Sequence, residues 1–193
     1  MPTGSMRYRE LLVRLTELRR HLLPFLPDPP VSSLTYSDAE LDSTRAYVVL
    51  AHAEIEAFCE QISLAKATVS KAFFDTSQVV TPCLRRILSY HVANKKGSWH
   101  EVTNPQNLNA DKAFRFYQKI IRENHGVKRK NLETILYPIG FIETELDPSW
   151  LAQMDSFGTI RGGWAHSSVR TQQPPTRSRS CRPFSNCSRV YWI

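Results

Sequence analysis

Apolar positions recur along this chain at helical spacing and almost nowhere at strand spacing. Leu11, Leu15, Leu18 and Leu22 fall at intervals of four, three and four, one stripe of a helix over about residues 6–23. Pro24, Pro27, Pro29 and Pro30 end it. Ser37, with Glu40 three residues on, forms a capping box, in which each side chain reaches the other residue's backbone N–H. It opens a long pattern through Leu41, Val48, Ala51, Ile55, Phe58, Ile62, Ala65 and Val69. That pattern predicts a helix to about residue 73, roughly 50 Å at 1.5 Å per residue. In so short a chain such a helix is the spine of a bundle.

Further starts follow. Thr81-Pro82 places Pro at the first helical position, with Leu84, Ile87, Leu88 and His91 facing inward. Asn94 to Gln106 reads as a polar loop. Asn109 caps the next helix, with Ala113, Phe116, Tyr117 and Ile120 inward and Gly126 as the stop. Leu132, Ile135, Leu136 and Ile139 predict a short helix that Pro138 and Gly140 end. Asp147-Pro148 starts a last helix with Leu151, Met154 and Phe157 inward. Gly162 and Gly163 are expected to break or distort it. The run Ala46–Leu50 suits a buried strand in isolation, but it sits inside the capped helical pattern. The fold class is all-α, a helical bundle with one long spine.

Composition narrows the class. The chain has 193 residues, enough for one domain with a core and too short for two of ordinary size. No apolar run approaches the roughly 20 residues that span a bilayer, and the start has no signal-peptide core. No Gly-rich phosphate loop is present. Cys59, Cys83, Cys181 and Cys187 lack metal-ligand spacing, so neither a zinc site nor a disulfide framework is expected, and a reduced, cytoplasmic setting fits. No metal or cofactor is expected. The net charge of +7 is unevenly spread, because residues 167–193 carry five Arg and no Asp or Glu. From residue 171 Ser, Arg and Pro dominate, a composition that cannot bury enough apolar surface to order itself. The abrupt change suggests a shifted reading frame or a truncation. Residues 1–5 read as an appended or disordered start, and residues 6–170 as the domain.

The segment that carries chemistry is Ile160-Arg-Gly-Gly-Trp-Ala-His166, in which four residues separate Arg161 from His166. Upstream stand Tyr47-Val-Val-Leu-Ala-His-Ala-Glu-Ile-Glu-Ala-Phe58, Asn124-His-Gly-Val-Lys128 and Leu146-Asp-Pro148. A long helix, then Asn-His-Gly, Asp-Pro and Arg-x4-His, in that order, resembles the RiboL-PSP-type group of the HEPN superfamily over about residues 6–170. The resemblance implies a homodimer in which two Arg/His pairs face one cleft. It implies metal-independent endoribonuclease activity, with RNA as the partner. It also implies a prokaryotic toxin or antiphage effector, restrained by an antitoxin or a nucleotidyltransferase partner. Two other readings stand beside it: a non-catalytic HEPN module that binds nucleotide or protein, and a helical scaffold whose basic tail binds nucleic acid.

The chemistry of the two side chains fits RNA cleavage. When a 2′-hydroxyl attacks its own phosphodiester, the phosphorane gains negative charge. His166 supplies a proton carrier near neutral pH. Arg161 supplies a permanent cation whose planar fork matches phosphate oxygens. Gly162 and Gly163 would let the backbone turn and approach a phosphate. Glu56 and Glu60 share a helix face; they either orient the pair or form a solvated acidic stripe. His52, one turn before Glu56, reads as structural. Trp164 stacks on a base or fills a dimer seam. Lys128, Arg129 and Lys130 form either an RNA-steering patch or a solvated turn. Arg170 adds charge beyond the motif, and the tail's attraction for nucleic acid would be non-specific.

Overall fold

A computed structural model describes residues 6–23, 37–96 and 109–166. Among them every regular element is helical: α1 (Met6–Leu22), α2 (Asp38–Ser77), α3 (Pro82–Lys96), α4 (Ala110–Arg122), α5 (Arg129–Leu136) and α6 (Pro148–His166), with 3-10 turns at Tyr137–Ile139 and Glu143–Glu145. The chain is all-α in these residues. The proposed tail, including Arg170, and the start before Met6 lie outside the described residues.

Helix starts follow the local chemistry. The Glu40 carboxylate accepts from the Ser37 backbone N–H and hydroxyl at 2.7 Å each, and the Glu40 N–H donates back to Ser37 Oγ at 3.3 Å. The hydroxyl and N–H of Ser37 hold the Glu40 carboxyl below its ordinary range. Thr81 Oγ1 accepts from the Leu84 N–H at 3.1 Å, Asn109 Oδ1 from Lys112 at 2.9 Å, and Asp147 Oδ1 from Ser149 at 2.8 Å.

Several boundaries differ from expectation. α2 continues to Ser77, a full turn past residue 73. It closes on Gln78 at φ 58°, whose N–H and side-chain amide both donate to the Phe74 carbonyl. Those bonds satisfy orphan carbonyls of the last turn and support a left-handed conformation that glycine usually occupies. α3 runs to Lys96, so Asn94 is helical. In α4 the buried residue is Ile121 rather than Ile120, because Ala113, Tyr117 and Ile121 repeat strictly every four residues. The 3-10 turn ends at Gly140 with φ +113°, which suits glycine, and its N–H donates to the Tyr137 carbonyl at 3.1 Å.

The chain divides into two compact units, each drawing on part of α2. In one, α1, α2 up to Phe58, residues 126–129 and α6 pack together. Its core joins Leu11, Leu15 and Leu18 to Tyr47, Val48, Ala51, Ile55 and Phe58, and to Leu151, Met154 and Phe157. Tyr8 meets Phe58, and Arg14 Nε donates to Glu54 at 3.0 Å, so α1 runs antiparallel to α2. The other unit holds the rest of α2 with α3, α4, most of α5 and the 3-10 turns. Leu84, Ile87 and Leu88 are buried there as expected, whereas His91 is half-buried. Tyr117, fully buried, donates its hydroxyl to the Ile135 carbonyl. Lys71 bridges Asp75 at 2.5 Å and Asp111 at 2.7 Å. No helix of the described residues is long and apolar enough to cross a membrane.

Candidate functional site around Arg161

α6 does not break at its glycine pair. It stays helical through Gly162 and Gly163 to His166. A Cβ built on either glycine would meet nothing within 4 Å, so neither position is pressed against the rest of the chain. Glycine lowers helix stability without forbidding the conformation, and an unbroken ladder of hydrogen bonds carries it here. The expected turn toward a ligand is absent. On the continuous helix, positions 161 and 166 lie about 7.5 Å apart along the axis and roughly 140° apart around it. His166 is the last described residue of α6, and its side chain lies outside the described residues.

Phe157, Arg161 and Trp164 follow at intervals of four and three, one face of α6. The facing residues of α2 are Arg45, His52 and Glu56, at intervals of seven and four. The His52 ring lies 6.0 Å from that of Phe157. Arg45 Nη2 donates to the carbonyl oxygen of Trp164 at 2.9 Å. The two contacts run in opposite order along the helices, so α2 and α6 are antiparallel here.

His52 is only 4% exposed. Its Nδ1 stands 3.5 Å from Glu56 Oε2. Burial, and then the positive charge of Arg161, push its pKa down to about 4. His52 is therefore neutral at pH 7, and its contact with Glu56 is a polar contact rather than an ion pair. Arg161 itself is half-buried, and its Nε is buried without a hydrogen-bond partner. Among the described residues, no hydrogen bond or ion pair engages its guanidinium.

The other candidates are placed as follows. Glu56 stands with His52 in the Arg161 unit. Glu60 falls in the other unit, where its Oε1 accepts from Asn124 Nδ2 at 3.2 Å. Trp164 is half-buried and contributes its carbonyl to the Arg45 contact. Lys128 is exposed and lies along α6 at Gly158: a Cβ there would come 2.7 Å from Lys128 Cγ. Arg129 is tied to Asp155, its N–H donating at 2.8 Å and its Nε standing 4.0 Å from the carboxylate. Lys130 is exposed on α5. Among the described residues no group of three or more His, Cys, Asp and Glu is placed to hold a metal ion.

Arg45 is the residue that sequence reading passes over. The signal available was its position seven residues before His52 on the same face, a spacing shared by many arginines of solvated surfaces. Its partner stands 119 residues away.

A family model described as RiboL-PSP-HEPN matches residues 9–179. No curated protein matches the chain. No solved structure matches it either.

Proposed function

This chain belongs to the RiboL-PSP-HEPN family, and from that premise we propose that it is a metal-independent endoribonuclease acting through Arg161 and His166. The observation that carries the reading is the state of Arg161. Its cation is half-buried on α6, unspent on any carboxylate among the described residues, and close enough to His52 to depress it. A half-buried guanidinium without a counter-charge is prepared for an anion, and a phosphodiester is the anion whose oxygens match its fork.

In the proposed reaction the 2′-oxygen forms a bond to phosphorus and the bond to the 5′-oxygen breaks. The 2′-hydroxyl gives up its proton, and the leaving 5′-oxygen takes one. Arg161 stabilises the negative charge that grows on the non-bridging oxygens. His166 carries a proton, and a second copy of the chain supplies the other proton carrier, since one imidazole cannot be acid and base in the same step. The products are a 2′,3′-cyclic phosphate and a 5′-hydroxyl. The wider proposal is a toxin or defence effector held in check by a partner, so expression in a bacterial host should slow growth only while Arg161 and His166 are intact.

The test is RNA cleavage by purified protein in EDTA. Wild type should cut, and Arg161→Ala and His166→Ala should each lose about 100-fold or more. Cutting that persists in both variants, or that EDTA abolishes, overturns the reading. RNA or nucleotide binding without cutting favours a non-catalytic HEPN module. Cleavage leaving a 3′-hydroxyl overturns the 2′-hydroxyl mechanism.

A further inference from the structure

We infer that the exposed face of α4 is a ledge for the phosphodiester backbone of an RNA strand, with Lys112, Arg115, Lys119 and Arg122 as its phosphate contacts. That the strand is RNA rests on the ribonuclease reading above; the ledge itself is tested by binding.

The four cations follow one another at intervals of three, four and three. On a helix that spacing keeps them within about 80° of the surface and strings them over about 15 Å of axis. All four are exposed. The opposite face is fixed, because Ala113, Tyr117 and Ile121 are buried and the Tyr117 hydroxyl donates to the Ile135 carbonyl. The row therefore stands on a rigid element. A stacked strand carries one phosphate per about 3.4 Å, so 15 Å of row faces about four of them.

The acids flanking the row are engaged. Asp111 meets Lys71 of α2 at 2.7 Å, and that lysine holds its carboxyl below the ordinary range. Glu123 stands 3.7 Å from Lys119, and both side chains are more than half exposed, so a phosphate replaces that pair at little cost. Lys112, Arg115 and Arg122 enter no ion pair among the described residues. The contiguous run Lys128–Lys130 is less free, since Arg129 is tied to Asp155. A basic face also attracts acidic protein. Protein interfaces centre on apolar or aromatic anchors, however, and no apolar side chain falls within this row. An unbroken line of cations suits a strand.

The test is equilibrium binding of the full chain, in EDTA, to two RNAs of different sequence. His166→Ala serves as the background, so that the RNA stays whole. In it, Arg115→Gln with Arg122→Gln should weaken binding of both RNAs about 25-fold at about 0.1 M salt and lower the slope of log K against log salt by about 1.4, since each strand contact contributes about 0.7. Arg19→Gln with Arg20→Gln removes the same charge from exposed positions of α1 and should lower the slope by less than about 0.5. An unchanged slope in the α4 pair overturns the ledge, and so does an equal effect of the two pairs, which would make net charge the cause. A loss confined to one RNA overturns it too, because phosphate contacts carry no sequence information. Loss of polyglutamate binding with RNA binding kept would assign the face to an acidic protein instead. RNA bound through α4 but never cut by wild type removes the ribonuclease reading and keeps the ledge. Full binding by the α4 pair, with cutting that needs Arg161, removes the ledge and keeps that reading.

Discussion

Three glycines of α6 should respond to alanine in opposite ways. In a helix interior Gly→Ala normally gains about 0.5–1 kcal/mol, because glycine loses more backbone freedom on folding. At Gly162 and Gly163 nothing within 4 Å opposes a new methyl, so each substitution should deliver that gain. At Gly158 the methyl would stand 2.7 Å from Lys128 Cγ, 3.4 Å from its Cε and 3.7 Å from its Cδ. Carbon atoms prefer about 3.5–4.0 Å, so the overlap with Cγ is about 1 Å. The stem of Lys128 must leave its groove, and overpacking of this kind costs roughly 1–3 kcal/mol. The net effect of Gly158→Ala should thus run from about zero to about 2.5 kcal/mol destabilising. Lys128→Ala removes the obstacle, and in that background Gly158→Ala should become stabilising, a coupling of about 1–3 kcal/mol. Urea unfolding followed by far-UV circular dichroism measures the five variants, the Lys128→Ala/Gly158→Ala double among them, against wild type. If Gly158→Ala stabilises as much as Gly162→Ala with Lys128 in place, the packing of Lys128 on α6 is refuted.

Two further predictions concern buried titratable groups. The pKa of His52, about 4 when folded against about 6.5 unfolded, makes the unfolded chain the better proton acceptor between those values. Stability from neutral His52 is therefore complete above about pH 6.5 and is lost as pH falls toward 4, by up to about 3 kcal/mol. Urea unfolding at pH 7 and pH 5 should show the loss in wild type and much less of it in His52→Gln, and NMR titration should show the His52 pKa rising in Arg161→Gln. Cys59 and Cys83 are both buried, and burial raises the Cys83 thiol above its ordinary range. Both should resist a maleimide at pH 7.5 until urea unfolds the chain, as peptide mass spectrometry would show, and labelling of folded protein at wild-type stability would contradict their burial.

Helix starts were legible because each is decided within four residues. Ser37 and Glu40, Thr81 with Pro82, Asn109, and Asp147 with Pro148 act on backbone N–H groups in their own first turn, and the sequence displays both partners. The apolar stripes were legible for a similar reason, since Leu11, Leu15 and Leu18 need only face inward together. Ends were less legible. α2 outlasts its apolar pattern because Gln78 satisfies the closing carbonyls, a role that nothing in its residue type announces. Glu56 and Glu60 share a face in sequence, yet Glu56 meets His52 and Glu60 meets Asn124, because their partners come from different parts of the chain.

The glycine pair shows why the candidate site was the hardest part to read. Local chemistry around Gly162 and Gly163 favours a break, and a break there would make residues 162–166 a loop. The helix continues through both glycines all the same; Arg45 donates to the Trp164 carbonyl at 2.9 Å, and Leu151 and Phe157 bury the turns before them. Two glycines cost about 2 kcal/mol of helix propensity relative to alanine, which is within the reach of one charge-assisted hydrogen bond with burial of the preceding turns. One contact on this stretch comes from a residue 119 positions away. Sequence order hides that distance.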